Sequence, residues 1–407
     1  NVSVSVSGNI LEIQTNDKIN NNIMAADAGS NLDIDSVTIF QAGGEGLGGT
    51  LLANEGNIRL INAMIQGGQY LSVGGGQLNT SFGNSLLSGV TLNGPSFINA
   101  SHNISVDGDG LVNNGVMQMN PQGSAANAEL HFIDNTVLDG TGEIQMKTGF
   151  TNTQINTDPT FVMTHGVNHT IRGVGNINAA LINNGTITAD ASVSVSGNIL
   201  EIEGEDKTNA AVMSAAGGSI LELTAMTLTQ TGAGHLLADE GQVRFNGGAT
   251  VVGGRIDAVG AGNAFVNGPT TFTDVTNNAP LVVDASDTLT ISGDGMVNNG
   301  FVSVNPGQSA ADGIIAFPAD GFLNTAGGGE VRLEASLGNS QIDGPGTVTN
   351  GPGHMISGIG TIDTNFINGG SIEPGKDGIG TLNASGDVTF ASFGSMNIEF
   401  GAANQSD

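Results

Sequence analysis

The sequence predicts an all-β protein folded as a parallel β-solenoid, a stack of coils in which each coil adds strands to the same sheets. Three observations lead to this fold class. Short runs of alternating aliphatic and small polar residues are separated by Gly, Asn, Asp and Ser, and no segment has a capped helical period. The chain repeats itself at an offset of about 185 residues. Its side chains are small or aliphatic, which suits a narrow core of stacked like residues.

The composition limits the partners and the chemistry of the chain. Its 407 residues include 65 Gly, 16 Phe, one Tyr (Tyr70), no Trp and no Cys, so the core is aliphatic and thiol chemistry is excluded. Nine Lys and Arg against 38 Asp and Glu give a net charge of −29. A polyanion of this kind repels nucleic acids and anionic lipids, and no apolar run is long enough for a membrane-spanning helix. We therefore predict no nucleic-acid partner and no direct membrane insertion.

Internal copies divide the chain into units. The alternating run NVSVSVSGNILEI at residues 1–13 predicts the first strands and returns at 191–202. Because the chain opens inside this alternation, we expect a processed form or a piece of a longer protein. Unit one is predicted at 1–189, a near-duplicate unit two at 190–374, and the start of a third, truncated unit at 375–407. At roughly 20 residues per coil, these units would form about 20 coils in one continuous rod.

Pairs of asparagines followed by glycine mark the turns between predicted strands. Gly, Asn and Asp tolerate the left-handed backbone conformation that tight turns require. Asn side chains at equivalent turns of stacked coils can also bond to each other and form a ladder. We therefore predict structural roles, as ladder or as turn residues, for Asn113, Asn114, Asn183, Asn184, Asn298 and Asn299.

The last forty residues or so carry a resemblance to a known group of proteins. The matching pieces are an N-x-G-x-I-x-P-G strand, an I-G-T-L-x-x-x-G-D strand, a G-S-x-x-x-I-E strand and a final S-D. They stand at Asn368 to Gly375, Ile379 to Asp387, Gly394 to Glu399, and Ser406–Asp407. This segment resembles the passenger regions of Gram-negative autotransporters and related sorted surface proteins. The resemblance implies an extracellular, right-handed parallel β-helix that serves in adhesion, aggregation or a surface layer.

Parallel β-helices also include polysaccharide lyases and hydrolases, which need clustered carboxylates beside a cationic or histidine side chain. Cations are few here, and several recur between the units: Lys18 returns as Lys207, and Arg59 as Arg244. A catalytic group needs to occur once, whereas a recurring charge indicates a structural role. We interpret the repeated pairs Glu55 with Arg59 and Glu240 with Arg244 as a turn carboxylate and a strand-flanking base, in an ion pair or on a solvated face.

Two sets of residues are possible metal ligands. His165 and His169 have a ligand-like spacing, but the segment is not helical, and unit two has Asn350 and His354 at these positions. We interpret them as solvated or turn histidines, and His102, His131 and His235 stand alone. Asp107, Asp109 and Asp294 lie in Gly-Asp loops with hard oxygen ligands, which makes them weak Ca²⁺ candidates, with an Asx-type turn as the alternative.

The sequence therefore predicts a non-catalytic extracellular β-solenoid at the bacterial outer cell surface, part of an adhesin, fibre or sheath that assembles end to end. The expected partners are copies of the chain, other surface components and glycans, and no cofactor is expected beyond weakly bound Ca²⁺. The alternative is a β-helix that binds or degrades polysaccharides, against which the single Tyr and the lack of Trp argue. A phage-type spike is a third hypothesis for the class of protein, ranked below the other two.

Overall fold

The computed structural model describes residues 2–4, 9–41, 49–149, 152–324, 328–335, 338–375 and 378–398, without the side chains of 2–4. The predicted fold class is confirmed: the chain is an all-β parallel solenoid of about 17 turns. Within the described ranges there is no α-helix, and a 3₁₀ turn is formed at Ala191–Val193. The chain separates into two compact units, Asn1–Lys207 and Thr208–Asp407, which are described in turn.

The first compact unit consists of short strands that are separated by short connections. Its strands are β1 Val2–Val4, β2 Ile10–Ile13, β3 Lys18–Ile19, β4 Ile23–Ala26, β5 Asn31–Asp35, β6 Thr38–Phe40, β7 Thr50–Asn54, β8 Asn57–Ile61, β9 Met64–Gln66, β10 Gln69–Val73, β11 Gln77–Phe82, β12 Asn84–Ser88, β13 Val90–Asn93, β14 Ser96–Ile98, β15 His102–Val106, β16 Leu111–Asn113, β17 Val116–Met119, β18 Ala128–Phe132, β19 Thr136–Asp139, β20 Glu143–Lys147, β21 Thr153–Thr157, β22 Met163–His165, β23 Thr170–Ile177, β24 Leu181–Asn183, β25 Thr186–Ala189 and β26 Ile199–Glu203.

The strands of this unit pair in parallel with a strand one coil further along the chain. Most pair with the strand three places on, as β5 does with β8 and β8 with β11, so each of these coils has three strands. The register aligns Leu32, Ile58 and Leu78 in one column, and all three are buried. Alternate residues of each strand therefore face a core of stacked aliphatic side chains, as the period of two predicts.

The number of coils differs from the expectation of about 20. Several coils take more than 20 residues, as where Thr38 lies beside Met64 and Thr136 beside Met163. The extra residues lie in loops at the coil corners, so the same chain length makes about 17 turns. One such loop spans residues 120–127, between β17 and β18.

The second compact unit repeats this arrangement with several longer strands. After β27 Lys207–Asn209, which contains the boundary, its strands are β28 Val212–Ala215, β29 Ile220–Thr224, β30 Thr227–Gln230, β31 His235–Asp239, β32 Gln242–Asn246, β33 Thr250–Val252, β34 Arg255–Val259, β35 Asn263–Asn267, β36 Thr270–Asn277, β37 Leu281–Val283, β38 Thr288–Asn298, β39 Phe301–Val304, β40 Gly313–Ala316, β41 Gly321–Leu323, β42 Gly329–Leu333, β43 Ser340–Asn350, β44 His354–Gly358, β45 Gly360–Asn368, β46 Ser371–Pro374, β47 Leu382–Ala384, β48 Val388–Phe390 and β49 Ser395–Met396.

The long strands of the second unit continue around a corner of the coil. The register of β38 on β36 shifts between Thr273 and Val275, and that of β45 on β43 shifts between Asp343 and Thr347. Gly295 and Gly344 stand at these bends with φ of 140° and 144°. A residue with a side chain is strained at such a φ. Glycine at the bend therefore allows one strand to continue around the corner and to form part of two faces of the coil.

The outermost described coil of the second unit is formed by β47, β48 and β49. It falls in the region predicted as a third unit, of which residues 376, 377 and 399–407 lie outside the described part. Its apolar side chains are exposed, including Phe390, Phe393, Met396 and Ile398. A pocket of about 200 Å³ opens between this coil and the one beneath it, with Phe366 and Ile372 in its wall.

Candidate functional site

The most distinctive polar feature of the first unit is a column of side chains inside the core. Asn113, His165, His169 and Asn183 are all 0–1% exposed. Asn113 Nδ2 lies 3.1 Å from His169 Nε2, His169 Nδ1 lies 3.0 Å from His165 Nε2, and His165 Nδ1 lies 2.7 Å from Asn183 Oδ1. The column joins residues of β16, of β22 and the turn after it, and of β24, and it passes the intermediate coil of β19.

Hydrogen-bond chemistry fixes one proton arrangement along this column. The backbone N–H of Gly115 donates to Asn113 Oδ1, so the amide nitrogen of Asn113 faces His169 and donates to its Nε2. His169 then carries its proton on Nδ1 and donates to His165, which donates from its own Nδ1 to Asn183. Both imidazoles are therefore neutral, and every bond in the column runs in the same direction.

The second unit contains the same column with one substitution. Asn298 Nδ2 lies 3.0 Å from His354 Nε2, and His354 Nδ1 lies 2.6 Å from Asn350 Oδ1. Asn350 donates in turn to Asn368 Oδ1 at 2.8 Å, and Asn277 donates to Asn298 Oδ1 at 2.9 Å. All five side chains are fully buried. Asn350 therefore replaces the imidazole of unit one with an amide that keeps the direction of the bonds.

Burial holds these histidines in the neutral state. It lowers the pKa of His165 to about 4 and that of His354 to about 4. The pKa of His169 is lowered to about 3, first by burial and then by the neighbouring His165. The interpretation of His165 and His169 as solvated side chains was wrong, because they flank a turn but point into the core. Their buried, mutually bonded nitrogens cannot reach a substrate.

A second set of amides runs along the outside of the same corners. Asn114 donates to Asn93 Oδ1 at 2.9 Å, and the backbone N–H of Thr141 donates to Asn114 Oδ1. In the second unit, Asn299 donates to Asn278 Oδ1 at 3.0 Å and accepts from Asn324. The two residues of each Asn-Asn pair thus separate, since the first lies in the buried column and the second in an outer ladder.

The third Asn-Asn pair follows the same division in part. Asn183 accepts the hydrogen bond of His165 at the inner position. Asn184 is half-buried, and its backbone N–H donates to the carbonyl of His165 at 3.0 Å. It therefore joins two coils through its backbone.

The arginines pair with carboxylates on the outer faces of the sheets. Arg59 makes a two-pronged contact with Asp33, its strand neighbour, in which Nε lies 2.6 Å from Oδ1, and Arg244 lies 2.9 Å from Glu222, also its strand neighbour. Both arginines lie within strands, so the prediction of a strand-flanking position was wrong. Their predicted companions Glu55 and Glu240 occupy left-handed turn positions instead, with φ of 57° and 56°.

The remaining arginines are engaged in the same way. The distances to their carboxylate partners are 2.9 Å for Arg172 and Glu143, 2.6 Å for Arg255 and Asp257, and 3.0 Å for Arg332 and Glu330. These are partly exposed pairs, each of which contributes about 1 kcal/mol or less to stability.

The recurring lysines close turns. Lys18 Nζ donates to the carbonyls of Thr15 and Asn16, and Lys207 Nζ donates to those of Glu203 and Glu205 at 2.6 Å each. Lys207 is 2% exposed, and burial lowers its pKa to about 8. A lysine ammonium group therefore closes the equivalent turn near the start of each sequence unit.

The Gly-Asp loops hold their carboxylates in turn contacts. The backbone N–H of Asp109 donates to Asp107 Oδ1 at 3.3 Å, the geometry of an Asx turn, and that of Asp294 donates to Asp274 Oδ1 at 2.7 Å. Among the described residues, no three or more His, Cys, Asp or Glu side chains are grouped so that they could hold a metal ion. Weak Ca²⁺ binding at these loops stays a prediction.

The isolated histidines differ in their surroundings. His131 Nε2 lies 2.9 Å from Asp158, with Glu129 at 3.6 Å from its Nδ1. His102 contacts Thr80, and His235 contacts the carbonyl of Ala233. Tyr70 is fully buried and donates to the carbonyl of Pro95 at 2.9 Å, and burial raises its pKa to about 12.

Sequence reasoning missed one pair of structural residues. Asn120 and Asn305 are fully buried, with φ of 52° and 54°, and the two N–H groups of each Nδ2 are shared among three backbone carbonyls, two in the loop beside it and one on the adjacent coil. The signal was present, because both stand in an N-P motif that recurs between the units.

These features define the chain as a parallel β-solenoid repeat protein whose recurring polar groups bond mainly within and between its own coils. No family model matches the sequence, and no curated protein matches it either. Within the described residues, no helix has the length and apolar character needed to cross a membrane.

Proposed function

We propose that this protein is a non-catalytic, extracellular structural or adhesive β-solenoid of a bacterial cell surface. One observation carries the proposal: the polar groups that recur between the units are used in contacts within the fold. The His-Asn columns are buried, all five arginines pair with carboxylates, and Lys18 and Lys207 close turns. Duplicated groups with internal partners suit a scaffold, whose function is its shape.

The resemblance of residues 367–407 to autotransporter passengers supports the extracellular setting and the bacterial surface. The net charge of −29 and the lack of cysteine are compatible with an exposed, acidic surface protein. Tyr70 is buried in the core, so the one tyrosine is not placed to stack on a sugar. This last point weighs against the alternative of a polysaccharide-degrading enzyme.

Self-association is part of the proposal and rests on the outermost coil of the second unit. The strands β47, β48 and β49 expose apolar side chains, among them Phe390 at 46% and Met396 at 45%. Exposed apolar strands tend to pair with further β-strands. We therefore assign this surface to contact with a second copy of the chain, which would add its own β-strands to β47, β48 and β49.

Electron microscopy of the purified chain, with and without millimolar Ca²⁺, tests the association. We expect regular filaments for the native chain and their loss in Phe390→Asp. The matched control is Val259→Asp, which places the same charge at a residue 54% exposed elsewhere in the unit, and which should leave filaments unchanged. Particles that never associate under any condition would refute self-assembly.

Incubation with neutral and acidic polysaccharides tests the non-catalytic role separately. We expect no new reducing ends and no unsaturated products after prolonged incubation. Steady product release by the native chain would establish the enzyme alternative, whatever the electron microscopy shows.

A further inference from the structure

An open groove of about 570 Å³ lies on one face of the second unit. Its floor is a stripe of outward-facing residues on three successive coils, in which Phe322 pairs with Thr349 and Thr349 with Ile367. Pro352 contributes a further apolar surface at one side. Phe322 lies beside Gly295 of the preceding coil, where an added Cβ would come within 2.5 Å of the Phe322 backbone and 3.0 Å of its ring, so the ring packs closely over this glycine. The groove therefore presents a partly exposed phenyl ring.

Two carboxylates border this apolar floor. Asp294 and Asp320 are both exposed, and no Lys or Arg is among the described residues that line the groove. Asp320 is fixed in place, because its Oδ1 accepts the backbone N–H of Thr347 at 2.7 Å. Asp294 is anchored through its own N–H, which donates to Asp274. The local charge is negative, on a chain whose net charge is −29.

The positions of the first unit that are equivalent to the groove carry different side chains. At the offset that relates the two buried columns, Phe322 corresponds to Val137 and Asp320 to Asn135. The backbone contact is retained, since Asn135 Oδ1 accepts the N–H of Val162 as Asp320 accepts that of Thr347. The fold thus accommodates Val and Asn at these places, so it does not require the ring or the charge of the second unit.

We propose that this groove binds a basic peptide segment, with the stem of a Lys or Arg side chain lying on Phe322 and its cationic group beside Asp294 and Asp320. The methylene groups of such a side chain bury against apolar surface while the charge stays near carboxylates. A cation over an aromatic ring gains about 0.5–2 kcal/mol. A neutral glycan would donate hydroxyl hydrogen bonds to the two carboxylates but would leave their charge uncompensated, and an anionic glycan would be repelled. The proposal stands whether or not the protein is a surface scaffold.

Fluorescence anisotropy with a short labelled peptide of alternating Gly and Lys tests this binding. We expect Phe322→Val to weaken the affinity by about 2- to 30-fold, the range of a lost cation–π contact. Asp320→Asn should weaken it by about 2- to 10-fold, because one carboxylate near the cation is lost. Both variants install the residue that the first unit already carries, so they are expected to fold, which far-UV circular dichroism checks. The same peptide with acetylated lysines should bind at least tenfold more weakly.

Two controls separate a specific groove from general attraction to an acidic protein. Phe393→Val removes another exposed ring, and Asp312→Asn removes another carboxylate, both in the second unit and outside the groove. We expect neither control to change the affinity by more than twofold. An equal effect of Asp312→Asn and Asp320→Asn, or no effect of Phe322→Val, would overturn the proposal. Binding of a neutral oligosaccharide in the groove without binding of the Lys peptide would also overturn it.

Discussion

Within each unit a few buried polar residues link successive coils. In the column of the first unit, each imidazole donates one hydrogen bond and accepts another, so no nitrogen is left unsatisfied in the core. The second unit shows that an amide can replace one imidazole, because Asn350 also accepts from one neighbour and donates to the next. What the position requires is a group that both donates and accepts.

This requirement predicts a small loss of stability for one substitution of His165 and a large loss for another. His165→Asn keeps a donor and an acceptor, as at Asn350, and should lower the free energy of unfolding by about 1 kcal/mol or less. His165→Leu fills the space but leaves Asn183 and His169 without partners there, at a cost of about 1–3 kcal/mol for each buried group. Urea unfolding followed by circular dichroism measures both. Equal destabilisation by the two variants would contradict the role of the hydrogen bonds.

The histidine columns also predict a pH dependence of stability. The folded-state pKa values of about 4, 3 and 4 for His165, His169 and His354 lie below the usual value of 6.5, so the unfolded chain binds these protons first. Stability is therefore unaffected by them above pH 6.5 and falls as the pH drops from 6.5 towards 4. The loss is about 1.4 kcal/mol per pH unit for each histidine.

The comparison of the native chain with His165→Asn isolates this effect from the titration of the carboxylates. Between about pH 7.5 and 5, the unfolding midpoint of the variant should fall less steeply than that of the native chain, since one titrating group is gone. Parallel pH profiles for the two proteins would show that the column does not control the acid response.

At the scale of the element, each of the three residues in the N-N-G turn has its own structural role. In the first unit Asn113 points inward, Asn114 points outward, and Gly115 lets the corner approach the coil beneath it. A Cβ on Gly115 would lie 2.2 Å from the carbonyl oxygen of Gly94, and one on Gly142 would lie 2.1 Å from that of Gly115. The glycine is thus required by the spacing of the coils.

Gly115→Ala is therefore predicted to destabilise the fold by about 3 kcal/mol or more, because backbone of the adjacent coil must move to make room. The control is Gly75→Ala in the same unit, where φ is 88° but no atom lies within 4 Å of the added methyl group. That change should cost only the backbone strain of about 1–2 kcal/mol. Thermal unfolding of both variants gives the ranking, and the opposite order would refute the close-approach explanation.

At the scale of the whole molecule, the dominant quantity is the net charge of −29. Like charges at this density repel each other in the compact state and also keep copies apart. The five arginine–carboxylate pairs offset only part of this repulsion, because each is partly exposed. Ions in solution should therefore have a large influence on stability and association.

We predict that added NaCl raises the melting temperature by a few degrees, since salt screens the repulsion. At equal ionic strength, CaCl₂ and MgCl₂ should raise it by similar amounts, because the loops at Asp107, Asp109 and Asp294 are expected to bind cations only loosely. Differential scanning calorimetry in the three salts measures this. A distinctly larger effect of Ca²⁺ would indicate a specific site, and Asp109→Asn and Asp294→Asn would then locate it.

The sequence by itself determined the strand architecture. Period-two alternation and Gly-Asn turns are local properties, and they predicted a parallel solenoid with few or no helices because each strand carries its own pattern. The recurrence of charged residues also indicated that Arg59, Arg244, Lys18 and Lys207 have structural roles. Duplication leaves that signal in the chain itself.

Only the tertiary structure decided which residues meet. Asn113 and His169 are 56 positions apart and come into contact because loops of different lengths set the register of the coils. The same register pairs Arg59 with Asp33 instead of with nearby Glu55, and brings Phe322, Asp294 and Asp320 to the lining of one groove. Coil length is fixed by how the corners pack, which depends on contacts between coils, and a linear pattern does not contain that information.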